Sequence, residues 1–257
     1  MRLPLAALFC LILFWPARSQ VRPPNPTGVS LGHLHFHSDS PVAHAKFWTT
    51  VFGAQPIKLG DREVYRLPGV FIVVDRVKPT GGMEDSTIPS IGLKVRDLKN
   101  TLAKVKAANA RIANRNRSHA VVIGPDDIQV ELTADRSLGT SVASEAIHLN
   151  LPDPAAAMAW YAKTFAAIQE QGNIAMLPGA NLDFSKSATV PAGTKGRVLD
   201  HIGFEVKDLE AFCKNLEAGG AKFDIAYRKI PQLGISIAFI TDPWGTYIEL
   251  TEGLDKL

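Results

Sequence analysis

The feature that most constrains this chain is an internal repeat. One pattern returns four times: a short alternating strand, an acidic turn, an amphipathic helix, then several short strands. Its leading segments are LGHLHFHSDS (31–40), IPSIGLKVRD (88–97), EAIHLNLPD (145–153) and VLDHIGFEVKD (198–208). The helical stretches that follow are PVAHAKFWTTVFG, LKNTLAKVKAANA, PAAAMAWYAKTFA and LEAFCKNLEAGGA. Such a repeat specifies a modular α+β protein, in which copies pack on one another to make a core. Copies two and four are alike, since SIGLKVRDL and HIGFEVKDL share the Ile-Gly pair, the next hydrophobic, the Val and the Asp-Leu. Copies one and three share a helix ending, Phe47-Trp48 then Phe52-Gly53 against Trp160-Tyr161 then Phe165. The chain therefore reads as two tandem halves, 30–136 and 144–257, each a pair of modules. A polar, small-residue boundary (DRSLGTSVAS) separates them.

Period-2 alternation assigns faces to the strands. Ile202, Phe204 and Val206 are expected to pack, leaving His201, Gly203 and Glu205 on the other face. Leu149 and Leu151 pack, and His148 and Asn150 point away. On the closing strands Ile248 and Leu250 pack while Tyr247, Glu249 and Thr251 face away; Ile128, Val130 and Leu132 pack while Gln129 and Glu131 face away. A curled sheet would line one cleft with these outward faces.

His148 and His201 start the leading strands of copies three and four, and Glu249 sits on the last strand, after the turn Asp242-Pro243-Trp244-Gly245. Two imidazoles and a carboxylate suit one divalent ion: Fe2+, Zn2+, Mn2+ or Ni2+. The expected metal ligands are therefore His148, His201 and Glu249. Glu249 is also a candidate base, and Tyr247, on the same face, a candidate substrate contact. The matching positions of the first half are His33, Ser90 and Glu131, where serine replaces one imidazole. His35 and His37 share the face of His33, so a set of His33, His35 and Glu131 is conceivable. His44 and His119 have no evident partner.

Composition bears on compartment and partners. The sequence is 46% hydrophobic and 21% charged, which fits a globular chain and no disordered one. Arg2, the apolar run from Leu3 to Trp15 and Ala17-Arg18-Ser19 read as a signal peptide of residues 1–19 cleaved before Gln20. The expected destination is periplasmic or secreted, with no stable membrane insertion after cleavage. Residues 20–29, rich in proline, form a linker. The formal charge of +3 falls to +1 once Arg2 and Arg18 leave. No basic cluster with interleaved aromatics appears, so nucleic acid is not an expected partner. The expected partner is a small molecule, and pairing of two chains is left open. Cys213 is then the sole cysteine, so no internal disulfide forms.

The strand HIGFEVKD, the aromatic helix endings and the DPWGTYIEL terminus resemble the vicinal oxygen chelate superfamily, over roughly residues 30–254. That group includes glyoxalase I, bleomycin-resistance proteins, methylmalonyl-CoA epimerases and extradiol dioxygenases. The resemblance implies four βαβββ modules in two halves, each an incomplete β-barrel with a cleft. By analogy with the dioxygenases it places a metal on His148, His201 and Glu249. Where the dioxygenase pattern has a Tyr before the last turn this chain has Phe239, and Pro231-Gln232-Leu233 stands where a His is expected. Glyoxalase I adds a Glu where this chain offers Asp183. The implied function is a metal-dependent enzyme that chelates a small oxygenated substrate. The alternative is a metal-free ligand-binding protein of the bleomycin-resistance kind.

Overall fold

The computed structural model describes residues 21–257, so the expected leader at 1–19 lies outside the described residues. Module one comprises β1 (Val29–His37), α1 (Pro41–Phe52), β2 (Gln55–Leu59), β3 (Arg62–Leu67) and β4 (Val70–Asp75). Module two comprises β5 (Ser90–Val95), α2 (Leu98–Ala107), β6 (Arg111–Arg115), β7 (His119–Ile123) and β8 (Gln129–Ala134). Module three comprises β9 (Val142–Leu151), α3 (Pro154–Phe165), β10 (Ile168–Glu170), β11 (Ile174–Leu177) and β12 (Ala180–Lys186). Module four comprises β13 (Leu199–Val206), α4 (Leu209–Ala218), β14 (Phe223–Ile230), β15 (Ile235–Thr241) and β16 (Tyr247–Glu252). No helix among the described residues is long and apolar enough to cross a membrane.

Three of the four α-helices begin at the acidic turn of their repeat for a local reason, while α1 starts after Ser40 without a side-chain cap, with Pro41 in its first turn. Asp97, Asp153 and Asp208 are N-caps whose carboxylates accept from the backbone N–H of Asn100, Ala156 and Ala211 at 2.9, 3.0 and 3.1 Å. These bonds satisfy donors that the first helical turn cannot. Asp208→Ala is therefore expected to cost about 1 kcal/mol of stability, read as a lower urea midpoint.

The four modules form two open, eight-stranded mixed sheets. Their partnership differs from the expected pairing of consecutive modules. One sheet runs β14-β15-β16-β13-β1-β4-β3-β2, joining module four to module one; the other runs β10-β11-β12-β9-β5-β8-β7-β6, joining three to two. Neither half, 30–136 or 144–257, closes a sheet by itself. The links explain this. Residues 135–141 form the shortest inter-module link, and they let β9 pair antiparallel with β5, setting Ser90 opposite His148. The longer links, 76–89 and 187–198, pass between the sheets and bridge each other at Ser86 and Ala192.

The packing faces are those the alternation requires. Ile202, Phe204, Val206, Leu149, Leu151, Ile248, Leu250, Ile128, Val130 and Leu132 are all buried in one core shared by both sheets and the helices. Phe165 of α3, in the second sheet's module, packs on Phe204 of β13 in the first at 4.8 Å between ring centroids. Burying each such side chain contributes about 1.5–3 kcal/mol. The concave faces are turned away from this core and carry the chemistry.

Glu205, near the end of β13, shows what that face costs a lone charge. It is 6% exposed; Oε1 accepts from the Gly253 N–H at 2.7 Å, and Oε2 has no hydrogen-bond partner among the described residues. Burial pushes its pKa up to about 7. The folded state therefore holds this proton more tightly than the unfolded chain. The contribution is full below about pH 4.5 and is lost as pH rises through about 7. Glu205→Gln is expected to shrink the fall in stability between about pH 5 and pH 8 by about 2–3 kcal/mol, measured by urea denaturation at both pH values.

Candidate metal centre

The seam between β1 and β13 brings imidazoles together. These strands are antiparallel, with His35 opposite His201 and His33 opposite Gly203. β16 lies parallel on the far side of β13, with Glu249 beside Gly203. His33, His35, His201 and Glu249 consequently form one group whose potential ligand atoms lie within 4.8 Å of one another. Of the expected ligands, His201 and Glu249 are here. His148 is not: it stands on β9 in the other sheet, because β9 pairs with β5. His33, expected in the incomplete half-site, takes the place assigned to His148. Ser90 and Glu131 lie with His148 in the second sheet, where Ser90 Oγ donates to Glu131 at 2.7 Å. A set of His33, His35 and Glu131 is thereby ruled out.

The geometry suits an ion. His33 Nε2 lies 3.0 Å from Glu249 Oε2 and 3.3 Å from His201 Nε2, and His201 Nε2 lies 2.9 Å from Glu249 Oε2. An octahedron with bonds of about 2.1 Å has edges of about 3.0 Å. The three atoms thus span one octahedral face, the arrangement that two imidazoles and a carboxylate give around a divalent ion. His33, His201 and Glu249 are 4%, 4% and 8% exposed.

The backbone makes room for this convergence. A Cβ on Gly203 would lie 2.0–2.6 Å from three atoms of the His33 ring. The Ile-Gly pair of copy four is therefore the floor under the imidazole of copy one. Gly92 of copy two lies beneath His148 in the same way, with 3.2 Å from a built Cβ to Nε2.

Asp200 is a site residue that the alternation hides. It neighbours His201 in sequence and ought to face the core. A register shift between His35 and Phe36 leaves it without a partner on β1, and such a bulge re-aims a side chain. Its Oδ1 then meets His201 Nδ1 at 2.5 Å. The carboxylate fixes the imidazole so that Nε2 faces the other ligands. Burial alone would lower the pKa of His201, but the bonds from Asp200 and Glu249 outweigh it and hold it at about 9. Burial alone would raise that of Glu249; its bonds to His201 and His33 keep it well below the usual carboxylate range. His35 goes the other way. Burial and the neighbouring charges of His201 and His33 outweigh Asp75, 3.1 Å away, and lower it to about 4.

Two apolar clusters flank the polar group. Ile237, Phe239 and Tyr247 stand on one side, and Val64, Phe71, Val73 and Leu254 on the other. Tyr247 stacks on Phe239 with centroids 5.0 Å apart and lies 5.8 Å from the His201 ring. Lys195 Nζ sits 4.4 Å over the Tyr247 ring. Phe239, noted in the sequence only as a departure, is 5.3 Å from the His201 ring.

Comparison with known proteins agrees with this architecture. Residues 143–250 match the Glyoxalase/Bleomycin resistance protein/Dioxygenase superfamily. No curated protein is similar to the chain in sequence. Glyoxalase I from Zea mays shares the fold, with 16% identity, a TM-score of 0.70, and 89% of this chain and 94% of that one covered. The cppA protein from Streptococcus pneumoniae TIGR4 has 10% identity and a TM-score of 0.50, with 86% of this chain and 97% of that one covered. The chain is thus similar to the Glyoxalase/Bleomycin resistance protein/Dioxygenase superfamily over residues 143–250, and the described residues share the fold of glyoxalase I across both sheets.

Proposed function

We propose that this protein is a metal-dependent enzyme of the glyoxalase/dioxygenase type, which binds a small oxygenated molecule at a divalent ion held by His33, His201 and Glu249. The observation that carries this reading is the 2.9–3.3 Å triangle of ligand atoms in a buried cleft. An ion bound there would act as a Lewis acid toward neighbouring substrate oxygens. Asp200 orients His201, and Glu249, held ionised, supplies the anionic ligand. His35 is kept neutral and is free to accept a proton from a substrate beside it; its ring centroid is 4.4 Å from that of His201. Tyr247 and Phe239 offer a flat wall against which the apolar part of a substrate can lie, and the apolar clusters exclude bulk water.

The test is metal analysis of untagged protein. Iron, zinc, manganese or nickel at one ion per chain or more is expected, followed by turnover in a screen of vicinal diols, hemithioacetals of α-keto aldehydes and CoA esters. Metal-free protein that still binds apolar ligands would replace this reading with sequestration. The leader-like residues 1–19 support export, which N-terminal sequencing of the mature protein checks: Gln20 should come first.

A further inference from the structure

We propose that an open basic cleft at one end of the second sheet binds a molecule carrying a diphosphate, or two neighbouring phosphates, through Arg96, Arg117, Arg136 and Lys99. The inference stands apart from the function proposed for the first barrel, because it uses none of its residues and no metal ion.

The sheet order puts the arginines together. β5, β8 and β7 are neighbours in the second sheet. β5 and β8 run parallel and β7 runs antiparallel to β8, so the ends of the first two lie beside the start of the third. An arginine stands within two residues of each: Arg96 after Val95, Arg136 after Ala134, and Arg117 before His119. Adjacent strands are about 4.8 Å apart, so the arginines leave neighbouring strand ends. Backbone bonds fasten these ends. The Ala134 N–H donates to the Ser118 carbonyl at 2.7 Å, and the Arg96 N–H to the Ser141 carbonyl at 3.0 Å. Lys99 joins from the first turn of α2, and the four side chains line one open cleft of about 800 Å³.

Charge points to the ligand. Arg96, Lys99, Arg117 and Arg136 form no ion pair among the described residues, whereas nearby Lys94 lies 3.9 Å from Asp135 and Arg111 lies 3.4 Å from Asp127. The one carboxylate on the cleft, that of Asp97, is engaged by the Asn100 N–H. Four cations against one carboxylate leave +3, as much as the formal charge of the entire chain. A carboxylate ligand would bring two oxygens, which a single guanidinium fork satisfies. A phosphate carries about −1.5 to −2 charge and three strong acceptor oxygens. A pair of phosphates is therefore what three forks and an ammonium match. The fold does not require arginine at these strand ends. The repeat-equivalent positions of the first sheet are Lys207, Leu254 and Leu233, and there both leucines pack in the apolar cluster with Val64 and Phe71. All four cations are exposed, so a ligand meets them without rearrangement of the core.

The test is calorimetric titration of the full protein with inorganic pyrophosphate at low salt. A dissociation constant of about 10–100 μM is expected, rising steeply with added NaCl. Arg117→Ala/Arg136→Ala should weaken binding about 100-fold, because it removes two charge-assisted contacts. Lys163 and Lys186 are exposed in module three, so Lys163→Ala/Lys186→Ala removes the same charge elsewhere. That control should change the affinity by less than about threefold. Vesicles containing phosphatidic acid identify the source. Capture that pyrophosphate displaces makes the ligand a lipid headgroup; pyrophosphate binding without capture makes it a soluble phosphorylated molecule. No heat up to about 1 mM pyrophosphate, or equal losses in the two double variants, overturns the proposal. So does binding that survives Arg117→Ala/Arg136→Ala but is lost in His201→Ala, since pyrophosphate would then sit on the first barrel's ion.

Discussion

His201→Ala is expected to strip the first barrel of its metal, with affinity falling about 100-fold or more, while the chain stays folded. His201 supplies one of three ligand atoms and is the one Asp200 orients. Its loss leaves Glu249, 8% exposed, with His33 alone as partner. A buried carboxylate that loses a charged partner also costs about 3–5 kcal/mol. Added Zn2+ should therefore raise the melting temperature of the wild-type protein and leave that of the variant nearly unmoved. Asp200→Asn distinguishes positioning from ligation: the amide still reaches Nδ1 but favours the wrong tautomer, so affinity should fall by about tenfold and not vanish. An unchanged zinc-dependent rise in His201→Ala would remove the first barrel as a metal site.

Gly203→Ala is the second large effect, and it changes no ligand. A Cβ there meets the His33 ring at 2.0–2.6 Å, so the imidazole must leave its position. The strand itself tolerates alanine, since Gly203 does not have positive φ. Metal affinity is expected to fall about as far as in His33→Ala, about 100-fold, with circular dichroism unchanged. The two substitutions should be strongly non-additive: once His33→Ala has emptied the space, Gly203→Ala has little left to displace. Additive losses in that cycle would mean that the glycine acts elsewhere.

Much of this site could be read from the chain before its fold was known. The leading strands show their faces by alternation. His201 and Glu249 stand at repeat-equivalent places that point into a cleft, and the structure puts both there. Asp200 could not be read, because the bulge that turns it toward His201 depends on the register with β1. Phe239 became a wall of the cleft only once β15 lay beside β16, with Phe239 opposite Glu249. His119 gained a partner only when β7 paired with β8 and set Val121, two residues on, opposite Glu131.

The repeat itself determined that the protein has four strand–helix–strand modules, and which face of each is buried. The structure adds that each seam sets a glycine from copy two or four under an imidazole from copy one or three. Two arrangements satisfy that rule: consecutive modules paired, or module one with four and two with three. His201 and Glu249 belong to the complete site in both; the third ligand is His148 in the former and His33 in the latter. Local sequence cannot separate them, because the strands that meet have the same pattern either way. Tertiary structure chose the second arrangement. The short link at 135–141 holds β9 against β5, while the longer links carry the chain across to complete the first sheet.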